Sequence, residues 1–184
     1  MEKKKKNIVI ATGGTGGHIF PSISLSSFLS EEYHVEFVTD ERGLKYLGSQ
    51  KNLKVNVVNS SRIFSKNVFK IFMSLVKIFF SIISSLKLLI KLKPNLVVGV
   101  GGYSSFAVCL SAYVLKIPIL IYEPNLVIGR ANRFLLPLSK KILVSTESIE
   151  GIKNKYNHKI FFSGYLLRKE IFETKKQALK VEEK

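Results

Sequence analysis

The chain has 184 residues, with 29 Lys and Arg against 13 Asp and Glu, for a formal charge of +16. That length suits one ordinary domain with its own core, and the charge calls for an anionic partner: nucleic acid, acidic lipid or a phosphorylated substrate. The single cysteine, Cys109, excludes an intrachain disulfide, and no Cys/His spacing of a metal site is present, so neither a metal nor a cofactor is expected.

Lys3–Lys6 reads as a solvated leader, and Ile8 to Ala11 is too short an apolar run for a signal sequence. Asn7–Ala11 is predicted as the first strand, and Pro21–Ser30 as the first helix. Between them lies Gly13-Gly14-Thr15-Gly16-Gly17-His18, with four glycines in five residues. Such a run costs unfolded-state entropy, so a turn that merely tolerates glycine is a poor explanation. Without Cβ atoms, backbone N–H groups can approach a ligand, and the positive end of the next helix suits phosphate. The run is not a Walker A loop, because no lysine lies between Lys6 and Lys45. Nor is it a dinucleotide fingerprint, because the third glycine of that pattern is Ile19. A diphosphate or nucleotide-sugar site is the expectation. His18 sits at its edge, as a general base or polar anchor, or as a cap of the helix start; position alone leaves both open.

His34–Thr39 alternates as a second strand, Gly43–Ser49 reads as a short helix, and Lys54–Val58 as a third strand. A long helical stretch from Val68 to Leu92 has lysines at 70, 77, 87 and 91. Lys66, Lys70 and Lys77 share one broad side, and Phe69, Phe72, Leu75, Val76, Phe79 and Phe80 spread over much of the rest. Its longest charge-free piece is Ile78–Leu86, so a membrane span is not expected. Its C-terminal half reads as a core helix. Its N-terminal half is expected to carry Phe69, Phe72, Lys70 and Lys77 into an anionic bilayer interface. Lysines interleaved with apolar residues favour a membrane surface, and a nucleic-acid partner is not expected.

Leu96–Val100 is predicted as a fourth strand, Phe106–Leu115 as a helix with Cys109 in its core face, and Ile119–Tyr122 as a fifth strand. Gly129–Leu136 reads as helix, Lys141–Ser145 as a sixth strand and Lys159–Ser163 as a seventh. This alternation predicts an α/β fold: a Rossmann-like, doubly wound parallel sheet buried on both faces. Ligands of such sheets bind beyond the carboxyl ends of the strands. Three segments fall there: Gly13–His18, Gly99 to Ser105, and Glu123-Pro124-Asn125.

Together these segments resemble the N-terminal half of the MurG family, the N-acetylglucosaminyltransferases that make lipid II. The matching residues are Gly13-Gly14-Thr15-Gly16-Gly17-His18-Ile19-Phe20-Pro21, Gly101-Gly102-Tyr103-Ser104-Ser105, and Glu123-Pro124-Asn125 with Gly129, Asn132 and Arg133. Ser163 to Arg168 aligns with the family's hinge. The resemblance implies the N-terminal domain of a two-domain GT-B glycosyltransferase. It would be peripheral to the cytoplasmic face of the bacterial inner membrane. The undecaprenyl-linked acceptor would bind this half, and UDP-N-acetylglucosamine the other, with inversion and no essential active-site metal. It implies that Gly13, Gly14, Thr15, Gly16 and Gly17 line the cleft, and that Tyr103, Ser105 and Glu123 are polar groups around it. Asn125 and Arg168 would reach the sugar donor. His18 and Glu123 are the two candidates for the base.

The chain departs from the family at Tyr122, where His is usual, at Pro124, where Gln is usual, and at Tyr165-Leu166, where Asn-Pro is usual. Residues 1–164 read as the acceptor domain and 165–184 as a hinge remnant with a polar tail. No second Rossmann unit follows, so this chain is expected to be inactive without a donor half; it reads equally as a truncated or split gene product, as a natural half that recruits a separate donor-binding chain, or as one domain of a longer protein. The alternatives are a non-catalytic, membrane-associated module that binds lipid-linked sugars, or one subunit of a split transferase.

Overall fold

The computed structural model describes residues 5–48, 50, 52–59 and 68–166, and only the backbone of 68–71. Its strands are β1 (Asn7–Thr12), β2 (His34–Thr39), β3 (Lys54–Val57), β4 (Leu96–Gly101), β5 (Ile119–Glu123), β6 (Lys141–Val144) and β7 (Ile160–Phe162). Its helices are α1 (Gly16–Leu29), α2 (Glu41–Leu47), α3 (Val68–Leu92), α4 (Tyr103–Val114) and α5 (Arg130–Leu135). The strands form one sheet in the order β3-β2-β1-β4-β5-β6-β7, and every pairing is parallel. The doubly wound architecture expected from the alternating pattern is therefore present.

Strand side chains alternate between two cores. Ile8 and Ile10 of β1 pack with Ile19 of α1 and Leu47 of α2 on one face. Val9 and Ala11 pack on the other, with Leu89 of α3 and Val108, Cys109 and Ala112 of α4. Burying each such aliphatic side chain contributes about 1.5–3 kcal/mol, which is why every central strand is rich in Val and Ile. Cys109 is fully buried, and burial pushes its thiol up to about 12 against a smaller opposing effect of Ser105, so it is a core residue.

Three helix starts differ from the predicted ones. The first helix begins at Gly16, not Pro21: the Thr15 carbonyl accepts from the N–H groups of His18 and Ile19. Pro21 sits inside it, where its ring removes only the bond to the Gly17 carbonyl. This earlier start puts His18 on the first turn. The second helix begins at Glu41 because Asp40 caps it, accepting from Gly43 N at 2.9 Å. The fourth begins at Tyr103 because Gly102, with φ of 90°, turns the chain directly out of β4. The remaining boundaries move by one residue or so.

The long helix α3 is layered in reverse of a usual surface helix. Ser74, Ser81, Ser85 and Leu89 are buried, and Ser111 Oγ of α4 donates to the Ile82 carbonyl at 3.0 Å. Phe72, Phe79 and Phe80 face out, 60%, 59% and 62% exposed. By length and composition Phe72–Leu92 is apolar enough to cross a membrane, with mean hydropathy 1.9. Its contact with α4 makes it an outer layer of the domain.

Candidate functional site

The sheet order reverses direction between β1 and β4, and the loops after these two strands meet there. Such a switch point leaves a crevice, because the connections on either side run to opposite faces. The pairing slips at this place: Ala11 opposes Gly99, but Thr12 opposes Gly101. The bulge brings the two glycine loops into backbone contact. A Cβ on Gly102 would lie 2.6 Å from the Gly13 carbonyl oxygen, and one on Gly13 would collide with Ser104 Oγ. Ser104 Oγ donates to the Thr12 carbonyl at 3.2 Å and locks the loops together.

His18 lies across this junction. A Cβ on Gly101 would stand 2.8 Å from its Cε1 and 2.9 Å from its Nδ1, so only glycine there admits the imidazole. Nδ1 is buried and has no protein partner. Burial lowers the His18 pKa below its ordinary value, against the opposing charge of Glu123 and the Val100 backbone. Burial thus favours the neutral ring, the form a general base requires. His18 lines a cavity of ≈ 230 Å³ with Gly101, Gly102, Tyr103, Gly129, Arg130 and Asn132. A larger hollow of ≈ 740 Å³ lies at the opposite, amino-terminal edge of the sheet, around Tyr113, Lys116, Pro137 and Lys140. The smaller cavity is the candidate site, since it holds the titratable group and the Gly101–Gly102 turn, which packs against Gly13 of the first glycine loop.

Gly13 is buried at the junction itself, whereas Gly14, Thr15, Gly16 and Gly17 lie at or near the surface of the turn. Thr15 is the cap residue of α1, but its side chain makes no capping bond. Tyr103 opens α4 at the cavity. Ser105 is fully buried away from it, with its Oγ accepting from Gly101 N at 3.4 Å. It shapes the turn.

Glu123 ends β5 and is completely buried. Oε1 accepts from Asn125 Nδ2 at 2.7 Å and Asn125 N at 3.2 Å, and Oε2 from Gly129 N at 2.8 Å and Asn132 Nδ2 at 2.9 Å. Four donors fill the acceptor sites of one carboxylate. The same bonds hold Asn125, whose residue is exposed at the loop, and draw Asn132 to the cavity wall with its Oδ1 unpartnered. Tyr122 is fully buried, its hydroxyl donating to the Gly164 carbonyl at 3.5 Å and accepting from Leu166 N at 3.3 Å.

The structure thus gathers His18, the glycine turn and Tyr103, and places Glu123 and Asn125 on the neighbouring loop. It does not bring Phe72 and Lys77 there: both lie on α3, exposed to solvent. Arg168 falls outside the described residues, as do the side chains of Phe69 and Lys70. Sequence reasoning passed over Arg42, Ser104 and Arg130 as site residues. Arg42 follows β2 and Arg130 opens α5, so their places at carboxyl strand ends were the available signal. Among the described residues no cluster of three His, Cys, Asp or Glu could hold a metal ion.

The model of the glycosyltransferase family 28 N-terminal domain matches residues 8–144. The chain is 36% identical over 168 residues to the UDP-N-acetylglucosamine–N-acetylmuramyl-(pentapeptide) pyrophosphoryl-undecaprenol N-acetylglucosamine transferase of Pelagibacter ubique, covering 91% of this chain and 46% of that protein. It is 34% identical to the transferase of the same name from Rickettsia felis, covering 90% of this chain and 45% of the relative. The crystal structure of Acinetobacter baumannii MurG superposes with a TM-score of 0.67 at 26% identity, covering 80% of this chain and 44% of that one. The chain therefore spans about half the length of the relatives it matches, and its sheet corresponds to their N-terminal portion.

Proposed function

The chain belongs to glycosyltransferase family 28, and on that footing we propose that it is the acceptor-binding half of a peptidoglycan N-acetylglucosaminyltransferase. The donor is UDP-N-acetylglucosamine and the acceptor is undecaprenyl-diphospho-N-acetylmuramyl-pentapeptide. In this reading residues 1–164 are the acceptor domain and 165–184 the hinge remnant and polar tail, and transfer also requires the donor half of the family. The observation that carries the reading is His18, whose ring lies where both glycine loops meet at the switch point with Nδ1 buried and without a protein partner.

In the reaction, the acceptor hydroxyl attacks C1 of the donor sugar. The C1–O bond to UDP breaks with its electron pair leaving on the diphosphate, and the configuration at C1 inverts. His18 takes the hydroxyl proton. The turn at Gly13, Gly14, Thr15, Gly16 and Gly17 offers N–H groups to the acceptor diphosphate. Glu123 is a positioning residue: with four donors already on it, its carboxylate sets Asn125 and Asn132. Tyr103 borders the sugar, Ser105 holds the Gly101 turn, and Asn125 with Arg168 faces the donor.

The outward phenylalanines of α3, the exposed Lys77 and the +16 charge support peripheral attachment to the anionic cytoplasmic face of the inner membrane. Aromatic and lysine side chains on one helix suit the interface, where rings enter the acyl boundary and ammonium groups meet lipid phosphate.

The test is a transfer assay with radiolabelled UDP-N-acetylglucosamine and a lipid I analogue, with and without a separately expressed family donor domain. Disaccharide formed only in the mixture supports the reading. Binding of the analogue without transfer in either tube would instead make the chain a non-catalytic lipid-linked-sugar binding module.

A further inference from the structure

We propose that Arg42 is a phosphate-binding residue of this site, gripping the diphosphate of the lipid-linked acceptor beside the glycine turn. The proposal rests on the acceptor-site reading above and adds a residue to it. Strand β2 neighbours β1, so the chain leaving Thr39 emerges on the same carboxyl edge as Gly13. Asp40, 3% exposed, is fixed first: its Oδ1 accepts from Gly43 N at 2.9 Å. Its Oδ2 then pairs with Arg42 Nη2 at 2.6 Å. Asp40 also abuts the turn, since a Cβ on Gly13 would lie 3.3 Å from Oδ2.

The guanidinium is thereby pinned against the loop. A Cβ on Gly14 would lie 3.7 Å from Arg42 Nη2 and 4.0 Å from Cζ, ordinary contact distance. Gly14 has φ of 85°, so the loop reaches this position in a conformation that disfavours other residues. The Arg42 side chain remains 37% exposed. A guanidinium carries five N–H donors in a planar fork, and the ion pair with Asp40 leaves most of them for a ligand. Solvent screens the exposed part of the guanidinium, so an ion pair between residues two apart does little for stability. What the pair does accomplish is to aim a permanent cation at the turn, where a phosphate would also meet the α1 N–H groups. The fork matches two phosphate oxygens at once, which an ammonium cannot.

A diphosphate reaching this place could belong to the prenyl-linked acceptor or to the nucleotide sugar, and the experiment separates them. The full 184-residue chain is titrated calorimetrically with inorganic pyrophosphate, beside Arg42→Ala, Arg42→Lys and Lys116→Ala. Lys116 lies at the opposite edge of the sheet and controls for net charge. The unsubstituted chain should bind, and Arg42→Ala should weaken binding about tenfold, the scale of a charged hydrogen bond. Arg42→Lys should recover part of the loss, and Lys116→Ala should stay within about twofold. A short prenyl diphosphate should compete and suffer the same loss in Arg42→Ala. A loss seen with UDP and not with the prenyl diphosphate overturns the acceptor assignment. Equal binding by Arg42→Ala overturns the role of Arg42 alone. No binding by the unsubstituted chain overturns this role and the acceptor-site reading together. If Arg42→Ala does not fold, the unsubstituted chain decides by NMR. Pyrophosphate must then shift the Arg42 Nε–H signal with the Gly14 amide, and a silent Arg42 signal overturns the proposal.

Discussion

Two loops at the same edge of the sheet treat their buried polar groups in opposite ways. At the β1–β4 junction, His18 Nδ1 and Thr12 Oγ1 are buried without a protein partner. After β5, the Glu123 carboxylate is equally buried, yet two backbone and two amide N–H groups saturate it. The first loop keeps unspent hydrogen-bonding capacity at a cost in stability; the Glu123 carboxylate spends all of its own on the shape of the second, and leaves Asn132 Oδ1 unpartnered on the cavity wall. Buried groups left incomplete mark where a ligand or proton is handled, and completed ones mark the scaffold that presents it.

Replacing the group at each loop should separate the roles, and the largest effect belongs to His18. With a donor half supplied, His18→Gln should lower transfer by about 10²–10⁴-fold, the usual worth of a general base. Stability should respond differently. Because burial lowers the folded-state pKa below the ordinary 6.5, the unfolded chain binds the extra proton first as pH falls. Native His18 therefore contributes a loss of stability that begins below about pH 6.5 and grows toward the lower folded pKa. Urea titrations across this window should show that slope in the unsubstituted chain and not in His18→Gln. Its persistence in the variant would assign the slope to another group.

Glu123 should behave in the reverse manner. Glu123→Ala strands several buried donors and should cost about 3 kcal/mol or more in urea unfolding. Glu123→Gln keeps the shape and one carbonyl, and should cost about 1–2 kcal/mol. With the donor half supplied, Glu123→Gln should retain most transfer and the pH profile set by His18. Were Glu123 the base, the same conservative change would abolish transfer under conditions in which the variant is still folded.

The difference between the loops was only partly visible in the chain. Strand periodicity located all seven strands, and glycine-rich turns after β1 and β4 pointed to the carboxyl edge. That His18 stands on the first turn of α1 was hidden, because Pro21 reads as a helix start and here sits inside the helix. That Glu123 is saturated was hidden too, since Asn125, Gly129 and Asn132 meet it only through the fold of the loop. Arg42 escaped notice because its ion pair with Asp40 spans two residues and resembles any solvated pair. On α3 the pattern of Phe and Lys was plain, but not which face would be covered. The buried serines decide that, because their small side chains let α3 lie close against α4.

The smallest expected effect concerns Tyr122, whose hydroxyl is engaged. It meets the Gly164 carbonyl and Leu166 N, on the segment that follows β7. Both contacts are long, so Tyr122→Phe should cost about 0.5–1.5 kcal/mol, the net worth of an ordinary hydrogen bond. The ring itself stays, and the core should be unaffected. Hydrogen exchange locates the effect: the Leu166 amide should lose protection while the β4 and β5 amides keep theirs. A uniform loss across the sheet would mean that the hydroxyl supports the whole fold. A confined loss would make Tyr122 a tether for the segment that follows β7, and under the proposed function the same substitution should weaken transfer more than it weakens acceptor binding.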